Sequence, residues 1–172
     1  MATKIDKFVQ HAIDIANDSS HGYSQSDRWK VDYDCSSLMY ICGYYAGYDL
    51  PKSGTRYTGT IIEHFGKCGY RVDAYDGNLN DLEKGDLLLN VKYHVAVYIG
   101  NGKIVEATGD EKGGISGGKA GDQTGSEIRI GNVYNYPWTH VLTPPKENAA
   151  PAPAAGDNEI VKLAKKIIEL AS

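Results

Sequence analysis

The chain has 172 residues, 41% of them hydrophobic, and a formal net charge of -4. That length carries one domain with a full core plus an appendage, and the acidic balance excludes a nucleic-acid-binding footprint. Cys35, Cys42 and Cys68 form no Cys-x-x-Cys pair, and a seven-residue separation on a helix (about 10 Å) is too long for a disulfide, so free thiols and a reducing compartment are expected.

From the amino terminus, Ile5, Phe8, Val9, Ala12, Ile13 and Ala16 recur at helical spacing among charged residues. This predicts an amphipathic helix within residues 1–17, not the unbroken apolar core of a signal peptide. No stretch reaches the length of a membrane span. Residues 18–33 are rich in Ser, Asp and Gly and read as a loop. Asp27, Asp32 and Asp34 lack the residue order and closing Glu of a calcium loop, so no metal is expected. Asp34 is a favoured N-cap residue. Leu38, Ile41, Cys42 and Tyr45 then fall on one buried helix face, with Gly47 as the stop. Cys35 sits in the first turn, where the helix dipole favours an anion and is expected to lower the thiol pKa. A free cysteine is ordinarily a small buried hydrophobe. With Asp34, Ser36 and Ser37 around it, Cys35 is instead read as a candidate nucleophile.

Residues 48–60 read as a loop, Thr60 to Lys67 as a short helix and Tyr70 to Ala74 as a strand. Leu87-Leu88-Leu89 is a continuous apolar run, as in a buried strand. Alternation through His94–Ile99, the Gly100-Asn101-Gly102 turn and the return through Lys103–Ala107 predict a β-hairpin. A two-residue loop would place Ala96 opposite Ala107 and turn Glu106 away from His94. A three-residue loop with Gly102 left-handed in a bulge places Ala96 opposite Glu106, so that His94 and Glu106 share a face. The three-residue loop is the expectation.

Residues 109–126 are glycine-dense and read as a long mobile loop. Gly113 to Lys119 has phosphate-loop spacing, but Ala120 stands where Ser or Thr should follow, and no apolar helix comes after it. A strand is expected at 127–130, and 133–142, containing Pro137-Trp138, is expected to close the domain as an edge strand. The domain organisation is therefore a catalytic unit over 1–143, a Pro/Ala-rich linker over 144–158 and an amphipathic helix over 159–172. That helix is too short to be stable alone and is expected to dock, self-associate or begin a further domain. Thirteen tyrosines against two Phe and two Trp are the compositional outlier. Strand faces, which favour Tyr, account for the larger share, and a polar ligand groove for the rest.

None of the five histidines pairs with another His or a Cys at metal-finger spacing. His94 opens a strand on the predicted face of Glu106, which assembles a Cys35/His94/Glu106 set. The Cys35 thiolate attacks an acyl carbon, His94 moves the proton, Glu106 orients the ring, and the Cys35 amide helps to stabilise the oxyanion. Such sets recur on unrelated folds and indicate a cysteine hydrolase without naming its substrate. They call for no cofactor.

Three motifs appear in order: Asp34-Cys35-Ser36-Ser37-Leu38, then Lys84-Gly85-Asp86-Leu87-Leu88, then His94 through Ala107. Together they resemble the NlpC/P60 superfamily of peptidoglycan-cleaving cysteine hydrolases. Tyr33 through Ser37 with Met39-Tyr40, and Pro137-Trp138, are similar to phage endolysin amidase and endopeptidase domains. The resemblance implies a papain-like α+β fold, with the cysteine on a helix packed against a central antiparallel sheet that carries the histidine. It implies Cys35 as nucleophile, His94 as base and Glu106 in the third polar position, where many relatives carry a second His. Relatives bind the stem peptide with residues that map onto Tyr33, Asp34 and Ser36, and Trp29 and Gln25 in the preceding loop join this substrate-binding set.

The resemblance also implies bacterial peptidoglycan as partner, without nucleic acid or membrane insertion. The bond cut lies within the stem peptide after D-glutamate or between muramic acid and L-alanine. It further implies synthesis in a host cytoplasm without a signal peptide, action on the wall after release, and a wall-binding domain beginning at the 159–172 helix. Two other functions fit the same fold: an acyltransferase, or a module that grips the wall without cutting it.

Overall fold

In the computed structural model, which describes residues 2–147, Thr3 opens the first helix, Lys4–Ala16 (α1), with a capping box. The Asp6 amide donates to Thr3 Oγ1 (3.0 Å) and the Thr3 amide to Asp6 Oδ2 (3.1 Å), so two otherwise unpaired donors are satisfied. Phe8, Val9 and Ala12 turn inward. The second helix, Cys35–Ala46 (α2), starts the same way: the Ser37 amide donates to Asp34 Oδ1 (2.6 Å) and the Asp34 amide to Ser37 Oγ (2.9 Å). It ends at Gly47 in the left-handed region (φ 92°). Every residue from Cys35 to Gly43 is buried, so α2 runs through the core and has no outer face over its first two turns. The single buried face expected from Leu38, Ile41, Cys42 and Tyr45 is corrected here: Tyr45 is 56% exposed at the rim, its ring 5.1 Å from that of His11 on α1. Thr58–Lys67 (α3) begins two residues before the expected start.

Six strands follow: β1 (Arg71–Ala74), β2 (Leu87–Asn90), β3 (His94–Gly100), β4 (Lys103–Ala107), β5 (Ile128–Asn132) and β6 (His140–Thr143). They form one antiparallel sheet of order β1-β6-β2-β3-β4-β5. This is the α+β class the motifs imply. Leu87, Leu89, Val95, Val97, Val105 and Ala107 face the helices, while Leu88, Ala96, Tyr98 and Ile104 form a smaller cluster with Trp138 on the other face. The expected closing edge strand is internal. β6 inserts between β1 and β2, and Pro137 precedes it, so the missing proline N–H removes nothing from the ladder.

The β3–β4 hairpin reaches the expected register by another device. Val97 pairs with Val105 and Tyr98 with Ile104, but Gly100 pairs with Lys103, so the loop is the two residues Asn101 and Gly102. Both have positive φ, 53° and 70°, as a type I′ turn requires. A bulge between Tyr98 and Gly100 absorbs the extra residue and restores the pairing that brings Glu106 to the face of His94.

Residues 109–126 are not a loose loop, because carboxylates hold them. Asp110 accepts the amides of Lys112, Gly114 and Gly117, and Asp122 those of Thr124, Gly125 and Glu127. Buried Asp32 accepts Gly22 and Gly121, tying this segment to the loop ahead of α2. The glycines serve contact as well as turning: a Cβ on Gly22 would lie 2.1 Å from the Gly121 carbonyl oxygen. Tyrosine is also placed differently from expectation, since only Tyr98 of the thirteen lies in a strand. Of the 144–158 linker only residues 144–147 are described, and the 159–172 helix lies outside the described residues.

Candidate active site

The helix cap at Asp34 fixes where Cys35 points. Cys35 opens the first turn of α2 and lines a cleft of about 480 Å3 together with His94, Tyr23, Gln25, Arg129 and Tyr136. The backbone amides of Val95, Ser36 and Cys35 itself favour the thiolate. These amides do not produce the lowered pKa expected from the helix dipole. Burial, reinforced by the Asp34 carboxylate, pushes the thiol up to about 12, so the resting group is the neutral thiol.

His94 begins β3 and Glu106 lies on β4. His94 Nε2 is 2.8 Å from Glu106 Oε2. With Nε2 donating to that carboxylate, Nδ1 is the nitrogen left for a proton acceptor's role. Glu106 has a 1% exposed side chain and is fully engaged. Oε2 also accepts from Tyr134 Oη (3.0 Å), and Oε1 accepts from Arg129 Nε (3.0 Å) and Nη2 (2.8 Å). Burial disfavours its charge, but the bonds from His94, Arg129 and Tyr134 outweigh this and hold the carboxyl below its usual range. The ring of His94 is held on its faces as well. Trp138 stacks on it (centroids 5.7 Å apart, planes at 26°) and Tyr136 meets it edge-on at 5.6 Å.

The sequence-derived site residues are spread over two adjoining hollows, and two of them reach neither. Cys35, His94 and Gln25 line the main cleft, and Glu106 lies directly behind His94. Asp34, Ser36, Gln25 and Cys35 line an adjoining hollow of about 280 Å3 with Arg28, Tyr57 and Thr58. Tyr33 and Trp29 line neither. Tyr33 is buried against His21, and the Trp29 indole donates to the Gly54 carbonyl (3.0 Å), which turns it to the loop before α3. The tyrosine at the cleft is Tyr23, whose hydroxyl accepts from Gln25 Nε2 (3.3 Å).

Sequence reasoning passed over Arg129, Tyr134, Tyr136 and Arg28. Tyr134, Tyr136 and Trp138 recur at every second position, a period that was available as a signal. Arg129 offered none, because its place opposite Glu106 depends on β4–β5 pairing across a twenty-residue connection. Among the described residues, no group of three or more His, Cys, Asp or Glu side chains is arranged to hold a metal.

The architecture that positions these groups has solved counterparts. The P60 domain of an antigen from M. avium subspecies paratuberculosis superposes with a TM-score of 0.51 at 18% identity, covering 82% of this chain and 96% of that one. The fold is that of the NlpC/P60 domains. RipB of Mycobacterium tuberculosis, described as a peptidoglycan hydrolase, gives a TM-score of 0.52 at 18% identity, covering 84% of this chain and 67% of its own. A family model described as an endolysin-like domain matches residues 104–168, from β4 into the segment beyond the described residues. Curated proteins yield no match. Within the NlpC/P60 fold seen here, the cysteine opens a core helix, and the histidine opens a central strand of the sheet.

Proposed function

We propose that the chain is a cysteine-dependent peptidoglycan hydrolase that cleaves an amide bond of the stem peptide. The observation that carries this reading is a buried thiol sharing one cleft with an imidazole whose far nitrogen is held by an ion-paired carboxylate. Likeness to an endolysin-like domain and to a hydrolase of the same fold supports peptidoglycan as the substrate.

Because the resting thiol is neutral, its proton passes to His94 Nδ1 as sulfur attacks the carbonyl carbon. The oxygen that becomes negative is stabilised by the backbone N–H of Cys35, in the first turn of α2. As the C–N bond breaks, His94 returns the proton to the departing nitrogen and a thioester remains on Cys35. Water then attacks the thioester, giving its proton to His94, and the acid leaves as the thiol re-forms. Throughout, Glu106 holds the ring and offsets its positive charge in the protonated state. Ser36 and Gln25 bind the peptide beside the nucleophile, and Asp34 acts behind them by holding Ser36 and Arg28 in place.

The test is mass spectrometry of Gram-positive peptidoglycan digested by wild type and by Cys35→Ala. Intact stem peptides freed from glycan identify a muramoyl-alanine amidase, and fragments ending in D-glutamate an endopeptidase. Absence of both kinds of product, with the two proteins behaving alike, would refute the hydrolase reading for that wall and favour a wall-binding module.

A further inference from the structure

The segment that leads into β6 brings an indole against the histidine. Asn90 of β2 pairs with His94 of β3, and both chain neighbours of Trp138 are tied to that end of β2. Asn90 Nδ2 donates to the Pro137 carbonyl (2.8 Å) and the Thr139 amide to the Leu89 carbonyl (2.8 Å). The indole held between them lies at 26° to the imidazole with centroids 5.7 Å apart, inside the range of a cation–π contact. Trp138 is 7% exposed and the His94 side chain 12%, so water screens the pair little.

Packing alone does not account for an indole at this place. Trp138 Nε1 is buried with no hydrogen-bond acceptor among the described residues, a cost that a phenyl or aliphatic side chain in the same apolar cluster would avoid. That directs attention to the ring face. His94 gains a positive charge when it takes the Cys35 proton, and the other charged groups lining the cleft are the cations Lys92 and Arg129. The carboxylate that it meets, Glu106, lies at the Nε2 edge of the ring and is shared with Arg129 and Tyr134. The indole adds support from the face.

We propose that Trp138 is a positioning residue whose indole face supports the positive charge of His94 as the thiol proton is transferred. The proposal rests on the cysteine-hydrolase reading above. Because the attraction grows as the ring becomes charged, it favours attack by the thiol over the resting state, and it requires no contact with the substrate.

Alkylation of Cys35 by iodoacetamide isolates that proton transfer without any peptide substrate. Sulfur bonds to the methylene carbon, iodide leaves, and the thiol proton passes to His94. Mass spectrometry of the Cys35 peptide reads the rate apart from Cys42 and Cys68. Trp138→Phe, with a weaker face, is expected to slow the reaction about threefold and Trp138→Leu about tenfold. Fluorinated tryptophans nearly keep the size of the ring while withdrawing electron density from its face. Incorporated at Trp138 in a Trp29→Phe background, they should slow alkylation stepwise, by about fivefold for a difluorinated ring. A flat fluorinated series overturns the proposal whatever Trp138→Leu does, since packing alone would then be at work. A Cys35 that fails to react, or reacts as fast in His94→Ala, overturns instead the cysteine–histidine reading and the proposal with it.

Discussion

Arg129 donates Nε and Nη2 to a single oxygen of Glu106, Oε1, directly across the β4–β5 pair, while His94 takes the other oxygen. The negative charge behind the histidine is thus shared with a guanidinium. Replacing Arg129 by Gln removes two of the four bonds that hold the Glu106 carboxylate and loosens its grip on the ring. The expected loss is about 1 kcal/mol, modest because Arg129 is half exposed, which corresponds to roughly a fivefold lower kcat with KM little changed. Arg129→Lys should recover part of the rate. An unchanged kcat would mean that Arg129 only supports the fold.

Tyr134→Phe removes one of the four bonds to Glu106 and keeps the ring packing with Tyr136 and Trp138. The expected loss is about 1 kcal/mol of ring orientation, which corresponds to roughly a five- to tenfold lower kcat, with KM little changed. Steady-state kinetics on purified wall fragments measures both constants. An effect confined to KM would place Tyr134 in substrate binding instead.

Acid should release the 109–126 segment. Backbone amide bonds, that of Gly114 first, hold Asp110 below the ordinary 3.8. For Asp122, burial opposes the charge, but bonds from Thr124, Gly125 and Glu127 prevail and lower it too. A carboxyl with a depressed folded pKa adds stability that is fully present above its unfolded value and is lost as pH falls through the folded one. Limited proteolysis should leave this segment intact at pH 6 and cut it first below about pH 3.8, ahead of the sheet. Simultaneous loss of segment and sheet would show that these anchors are not separate from the core.

Gly22→Ala should destabilise the protein although alanine is the smaller risk in most loops. The added methyl meets the Gly121 carbonyl oxygen at 2.1 Å and Glu127 Oε2 at 2.8 Å, and the first is backbone that Asp32 already holds in place. Chemical denaturation should register a loss of about 1–3 kcal/mol. A neutral result would mean that the two loops separate easily.

Local signals were legible in the sequence wherever neighbours in the chain decide the structure. Asp34 as cap, Gly47 as stop and the Leu87–Leu89 strand follow from short-range rules, and the fold is as the motifs imply. The hairpin register was right for a different reason, since one bulge at Tyr98/Gly100 and one extra loop residue have the same effect on pairing. Contacts between distant segments were hidden. The pairing of Arg129 with Glu106 has no periodic signature, and neither does the short-range pairing of Arg28 with Asp34 inside the loop before α2. The Cys35 environment misled for a related reason: polar neighbours in sequence suggested a wet, dipole-stabilised thiolate, but the fold buries all of that first turn. The glycine-dense segment misled because composition records flexibility of the free chain and not the carboxylates that pin it.

The place of β6 also sets the order in which the protein can be made. β1, at residues 71–74, has β6 as its strand partner, and β2 needs β6 on one side. On the ribosome, the half of the sheet that contains β1 stays open until residue 143 has emerged, long after α2 and Cys35 have been synthesised. Closing so distant a pair is slow relative to forming the β3–β4 hairpin. A nascent chain halted before His140 should therefore carry the whole Cys35/His94/Glu106 set and yet expose the edge of β2, making it a target for chaperones.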